Sequence, residues 1–211
     1  MIQSPVNNVI VKVKTKYIGN ISKILQLSAI QNGSSVDSVD LVNIMGEIVS
    51  LPRTVSDYIG YKGFSTKDMQ VGDTAIFSYS IIHDFVIPEE DADPIYRNRM
   101  MYRGEEYFLA DITKIFGVIR DGEIIMVNGY VMSSEFSDSN FVLPASLKKI
   151  KKAAETNVMH IGYPKTGESN IDIQSGDKIY FNSMTAQKYQ INQKPFSIIQ
   201  QNKIFGKEVL D

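Results

Sequence analysis

The sequence predicts an all-β fold in two tandem units of one plan, and three observations carry that prediction. The stretch Val71-Gly72-Asp73-Thr74-Ala75-Ile76-Phe77-Ser78 returns as Gln174-Ser175-Gly176-Asp177-Lys178-Ile179-Tyr180-Phe181-Asn182. In both, a Gly-Asp turn signal opens an alternating apolar run of the kind a half-buried strand needs. A second pair, Thr113-Lys114-Ile115-Phe116-Gly117 and Asn202-Lys203-Ile204-Phe205-Gly206, follows the first pair in the same order. Two ordered matches, each in a similar place within its half, argue for an internal duplication. Third, many short strand-like runs punctuated by turn signals, with little helix, imply an all-β architecture.

The chain has 211 residues, enough for two units of roughly 100 residues each, taken as residues 1–120 and 121–211. With 43% hydrophobic residues, ten Phe and eleven Tyr, each half can fill a core without tryptophan. Lys and Arg number 22 against 24 Asp and Glu, so nothing in the overall charge points to nucleic acid or an anionic membrane as a partner. The absence of cysteine excludes thiolate metal sites, disulfides and cysteine nucleophiles, and permits a reducing compartment. Met1-Ile2-Gln3-Ser4-Pro5 lacks the charged and apolar regions of a signal peptide. No apolar run approaches the roughly 20 residues of a membrane helix. A cytoplasmic location is the expectation.

Along the first half, Val9, Val11 and Val13 alternate with Lys12 and Lys14 in an opening strand. Residues 15–43 hold no single periodicity and read as a long loop carrying the apolar segment Ile21 to Ile30, for which an amphipathic helix is the competing reading. Met45 to Leu51 forms a second strand, ended by Pro52. Val55 to Asp68 reads as a hairpin or loop that exposes Tyr58, Tyr61 and Phe64. The acidic, proline-flanked run Pro88 to Pro94 is a solvated loop. Glu106 to Ile112 and Ile115 to Ile119 are the last strands of the half. Asp121-Gly122 is a turn expected to divide the units, and the strand pattern resumes at Ile124 to Met132. In the second half Ser146 to Glu155 is a plausible helix, and Val158 to Ile161, Ile173 to Asn182, Tyr189 to Ile191 and Phe196 to Gln200 complete the parallel. Val9, Val11, Ile48, Ile76, Phe108, Val131, Ile179 and Ile198 are the predicted core.

These segments, taken in order, resemble the chaperonin-10 (GroES-like) co-chaperonin family, in two tandem divergent copies. The opening strand Asn8-Val9-Ile10-Val11-Lys12, then Gly46-Glu47-Ile48-Val49, Val71-Gly72-Asp73-Thr74-Ala75-Ile76-Phe77, and Glu105 to Leu109 with Asp111 to Val118 fall in the family's order. In the second half Asn128 to Met132, Asn157 to Gly162, Ser175 to Phe181 and Ser197 to Phe205 repeat the series. The resemblance implies two tandem small β-barrels with long loops. It also implies ring-like homo-oligomers and an apolar tripeptide in each mobile loop that docks on a chaperonin. Phe141-Val142-Leu143 stands where that tripeptide would be in the second half, and Ile24-Leu25 lies in the corresponding loop of the first. The loop before Gly46 is longer than the family pattern, and the basic residue that usually follows the opening Asp is absent.

Chemistry-bearing residues are sparse. The two histidines, His83 and His160, lie in no spacing that builds a metal site or a triad, and no phosphate loop or nucleophile elbow is present. No enzyme activity, cofactor or metal is therefore expected. The acidic run Glu89 to Asp93 lacks the glycine and ligand alternation of a calcium loop, and Lys148 to Lys152 reads as the wet face of a helix. The leading functional expectation is a co-chaperonin-like oligomer that binds a larger protein, such as a chaperonin ring, through apolar loop segments. The alternative is a structural subunit of a viral particle or another large assembly, located in the virion. Candidate partner-binding residues are Phe141, Val142, Leu143, Ile24 and Leu25, with Tyr58, Tyr61 and Phe64 as contact aromatics.

Overall fold

The structure is a computed structural model that describes residues 2–13, 45–78, 80–83, 85–86, 95–138, 153–162, 171–191 and 194–208. Nearly all of them are strand or turn, as the alternating apolar pattern predicts. The first sheet runs β6-β7-β1-β2-β3-β8-β9 in hydrogen-bonded order. Its strands are β1 (Asn8–Val13), β2 (Met45–Ser50), β3 (Thr74–Phe77), β6 (Arg99–Tyr102), β7 (Glu105–Asp111), β8 (Ile115–Arg120) and β9 (Glu123–Met126). A short helix α1 (Ser80–His83) and a two-stranded ribbon, β4 (Phe85–Val86) with β5 (Ile95–Tyr96), lie between β3 and β6.

The second sheet runs β14-β15-β10-β12-β13-β16, with β11 added against β12. Its strands are β10 (Tyr130–Ser133), β11 (Ser137–Asp138), β12 (Ala153–Ile161), β13 (Lys178–Asn182), β14 (Gln187–Ile191), β15 (Lys194–Gln200) and β16 (Ile204–Lys207).

The two sheets repeat one another in register as well as in order. Val11 pairs with Ile48 just after an irregularity at Ile10/Val11, and Ser133 pairs with Val158 just after one at Met132/Ser133. Phe77 opposes Ile115 after a shift at Ile76/Phe77, and Phe181 opposes Ile204 after a shift at Tyr180/Phe181. The Gly-Asp turns are matched bond for bond. Gly72 and Gly176 hold φ of 96° and 95°, a region that favours glycine. The N–H of Ile48 donates to Asp73 C=O and that of Gly72 to Ile48 C=O; Val158, Asp177 and Gly176 repeat the arrangement. A β-bulge slipped by one residue would turn every later side chain to the opposite face, so coincident bulges mean that the same faces look inward in both sheets.

All eight predicted core residues are buried. One hydrophobic cluster gathers Val131, Ala154, Val158, Ile173, Ile179, Phe181, Ile199 and Ile204 inside the second sheet. The other fills the first sheet and continues through Phe116, Val118 and Met126 to Tyr130, Met132, Tyr189, Ile191 and Ile198 of the second.

Three expectations are corrected. Asp121-Gly122 does not lie between the sheets: it closes the β8–β9 hairpin, with both residues at positive φ, and the first sheet runs on to Met126. The change of sheet falls at the next turn, Asn128-Gly129, also at positive φ. Ala153, Ala154 and Glu155 belong to strand β12, not to a helix, because Ala154 packs into the core and pairs with Phe181; residues 146–152 lie outside the described residues. The segment 55–68 forms turns, and of its aromatics only Tyr58 is exposed.

Candidate functional site

The features that stand out among the described residues are exposed apolar groups, an unpaired strand edge and the contact between the sheets. Among the described residues no group of three or more His, Cys, Asp or Glu is placed to hold a metal ion. No described helix is long and apolar enough to cross a membrane. Phe141, Val142, Leu143, Ile24 and Leu25 lie outside the described residues.

The turn-rich segment after Pro52 is built from its ends inward. Asn7 is at positive φ, and its Oδ1 accepts the Ser56 N–H at 2.7 Å. The Tyr61 hydroxyl donates to Asp111 Oδ2 at 2.8 Å, a bond to a carboxylate that raises the phenol's pKa. Phe64 is buried in the core, and the Ser65 N–H donates to Asn128 Oδ1 at 2.9 Å. Held at these points, the segment projects Tyr58, 73% exposed, and Ile59, 88% exposed, into solvent. Tyr61 is only half-buried and packs against the core, so it and Phe64 serve as anchors rather than free contact aromatics. Ile59 is the most exposed large apolar residue among those described, and sequence reasoning passed over it because its neighbours are aromatic and it is not.

The contact between the sheets carries a polar chain through its apolar surroundings. Asp111 Oδ1 accepts the Thr113 N–H and hydroxyl; the Thr113 carbonyl accepts the Tyr130 hydroxyl at 2.6 Å; and Gln200 Nε2 donates back to that hydroxyl at 2.9 Å. Burial pushes the Tyr130 phenol up. Phe116 meets the Tyr130 ring edge-on at 4.9 Å. Asp111 and Gln200 occupy equivalent places, each just before a three-residue 3-10 turn that leads into β8 or β16.

At the sheet edges the two halves differ. β8 has β3 on one side and β9 on the other, Phe116 C=O accepting the Val127 N–H. Its counterpart β16 has β13 on one side, and among the described residues nothing pairs with the other. The Glu208 N–H bonds Lys178 C=O, so by strand alternation the backbone groups of Phe205 and Lys207 face the open side. Each Gly-Asp carboxylate is held by a cation from the strand that pairs with the one after the turn, β8 or β16. Asp73 is almost wholly buried, bonded by Arg120 Nε at 2.8 Å and Nη2 at 2.7 Å and by the Gln70 N–H, and the guanidinium holds its carboxyl below the usual range. Asp177 accepts the Gln174 N–H and then Lys207 Nζ at 3.1 Å, and is likewise lowered. Neither the β8–β9 junction nor the open edge was anticipated from the sequence.

Compared with known families, residues 122–208 match the model of the chaperonin 10 Kd subunit. The matched span begins just before β9, the edge strand of the first sheet, and takes in the whole of the second sheet, β10 to β16. No curated protein matches the chain.

Proposed function

We propose that this chain is a co-chaperonin-like subunit made of two GroES-like units in tandem, which assembles head to tail with other copies and engages a chaperonin-like ring through apolar loop segments. The observation that carries the reading is the chaperonin 10 match over residues 122–208, extended to the first unit by the shared bulges, registers and Gly-Asp turns. The assembly follows from the junction between the units. The first unit's last strand is completed by β9, residues that lead into the second unit, while the second unit's last strand has, among the described residues, a free edge that the corresponding residues of another copy would fill. The docking elements are Phe141, Val142 and Leu143, with Ile24 and Leu25 in the first unit, and the exposed pair Tyr58 and Ile59 adds a second contact surface. Each docking loop loses conformational entropy when it binds, so useful affinity needs several loops engaged at once, which is what assembly supplies.

The test is co-sedimentation with a purified chaperonin ring in the presence of nucleotide. Wild type is expected to co-sediment, and Phe141→Ser/Leu143→Ser to lose most of the bound fraction while keeping its melting temperature, since truncating one large anchor costs about 2–4 kcal/mol per site. Unchanged capture by the folded double variant removes those residues from the docking role. Absence of capture by wild type removes the chaperonin as partner.

A further inference from the structure

The residue that makes the turn between the sheets also ties the segment after Pro52 to that turn. Asn128 and Gly129 hold φ of 54° and 73°, and the Tyr130 N–H donates to Val127 C=O across them. Asn128 is 6% exposed. Its Oδ1 accepts the Ser65 N–H at 2.9 Å, while its Nδ2 is buried and meets no acceptor among the described residues. The bond from Ser65 therefore orients the amide, and the bare N–H is a cost that the turn carries.

Asparagine followed by glycine is the pair best able to cyclise, because no side chain shields the glycine nitrogen. The Gly129 nitrogen attacks Asn128 Cγ and gives up its proton, the Cγ–Nδ2 bond breaks, and ammonia leaves. Water then opens the five-membered imide at either carbonyl, leaving aspartate or isoaspartate. The folded chain opposes the first step. Cγ reaches the Gly129 nitrogen only by swinging away from Ser65, and the Gly129 peptide is itself fixed, its C=O accepting the Gln201 N–H at 2.9 Å. The surroundings are tight as well: Gly162, whose N–H donates to Tyr130 C=O at 2.8 Å, lies so near that a Cβ there would stand 2.8 Å from Val127 N. The turn before β1 is closed by the matching bond, Asn8 N–H to Pro5 C=O, across Val6 and Asn7. There no glycine follows the asparagine, so the fold builds this turn without the reactive pair.

We propose that Asn128 is a deamidation site gated by the junction between the sheets: it is inert while the Ser65 and Gln201 bonds hold the turn, and it converts when the junction opens locally. The isoaspartate product adds a main-chain carbon to the turn. The Val127–Tyr130 bond and the register of β10 then cannot re-form as before, and the opening becomes permanent. Converted chains are thus those whose junction has opened, whatever partner the protein binds.

The test incubates the full chain at mildly alkaline pH, folded and in guanidinium, and follows conversion at Asn128 by peptide mass spectrometry with isoaspartate detection. Cleavage after Arg120 puts Asn128 on a different peptide from Asn32-Gly33, the other Asn-Gly pair in the sequence, which supplies the reference rate in the denatured chain. Folded wild type is expected to convert at Asn128 at least about tenfold more slowly than the denatured chain. Ser65→Pro removes the N–H that holds Oδ1, and Gly162→Ala presses on Val127 from another side. Each should close most of that gap in chains that thermal unfolding shows to be folded. Equal rates in folded and denatured wild type overturn the gate, as does a folded Ser65→Pro chain that converts at the wild-type rate. Should Ser65→Pro not fold, Gly162→Ala decides: faster amide exchange at Val127 with an unchanged rate at Asn128 overturns the gate. No conversion at Asn128 in the denatured chain, where Asn32 converts, overturns the site itself. The isoaspartate fraction, separated by ion exchange, should melt below unconverted chain, and equal melting overturns the permanent opening.

Discussion

At the scale of single residues, the two Gly-Asp turns place one carboxylate each beside a cationic partner from β8 or β16. Asp73 is 4% exposed at its side chain and meets Arg120 through two nitrogens, whereas Asp177 is 23% exposed and meets a single lysine nitrogen. The Asp73 carboxyl is depressed in the folded state, so its contribution is fully present above the ordinary carboxylate range and is lost as pH falls through the native value. Asp73→Asn is therefore expected to lower the melting temperature markedly at pH 7 and much less at a pH where the native carboxyl is itself protonated. Asp177→Asn should show the same sign with a smaller amplitude. Melting curves of both variants from pH 7 downward check this, and a cost for Asp73→Asn that does not shrink with acid would show that packing, not charge, holds the turn. Ile76, fully buried between Met45 and Gly117, is a simpler case. Ile76→Ala should cost about 2–5 kcal/mol by chemical denaturation, the range for deleting a packed aliphatic side chain.

At the scale of elements, the β8–β9 hairpin is the piece on which the two units depend. It turns at Asp121-Gly122 with φ of 51° and 85°, a geometry that matches strand twist and that glycine adopts without strain. The strands approach closely. A Cβ at Gly117 would lie 2.8 Å from Ile125 O, and one at Gly162, in the second unit, 2.8 Å from Val127 N and 2.9 Å from Met126 C. In both cases the neighbour is backbone, so the strand itself must move. Gly162→Ala and Gly117→Ala are expected to destabilise by more than the helix and strand preference of alanine would offset, and to speed amide exchange at Val127, whose N–H bonds Phe116 C=O. Exchange at Val127 as slow as in wild type would mean that the junction accommodates a methyl group without opening. The β4–β5 ribbon is the contrasting element. The second unit goes from Asn182 to Lys188 through one 3-10 turn, where the first takes the longer path through α1 and the ribbon.

At the scale of the molecule, one hydrophobic cluster crosses from the first sheet to the outer face of the second, and the Asp111–Thr113–Tyr130–Gln200 chain crosses with it. Units that share a core cannot unfold independently, because exposing one strips the other of buried apolar area. A single cooperative thermal transition is expected, with coincident far-ultraviolet circular dichroism and tyrosine fluorescence. Tyr130→Ala removes the ring beside Phe116 and leaves the Thr113 carbonyl without that donor. It should cost about 3–5 kcal/mol and separate the two probes. Coincident transitions in the variant would place the coupling elsewhere in the shared cluster.

The sequence by itself determined the strand segments, the inward faces and the Gly-Asp turns that open β3 and β13, because alternation and Gly-Asp chemistry are local. A side chain's face follows from its parity along the strand, and a positive φ favours glycine, with asparagine and aspartate next. That is why Val9, Ile76, Val131 and Ile179 were legible as core and why the ordered repeat led to the family matched over residues 122–208. Only the tertiary structure decided where one unit gives way to the other. Asp121-Gly122 and Asn128-Gly129 are turn signals of equal local strength, and which of them separates the sheets depends on what lies beside Ile124 to Val127 in space. The tertiary structure also decided the fate of the aromatics after Val55. Tyr58, Tyr61 and Phe64 sit at near-regular spacing in one polar segment, yet Asp111, fifty residues from Tyr61, and the first core draw two of them inward and leave Tyr58 outside with Ile59. Pairing across such distances is set by the packing of the whole, which no local pattern records.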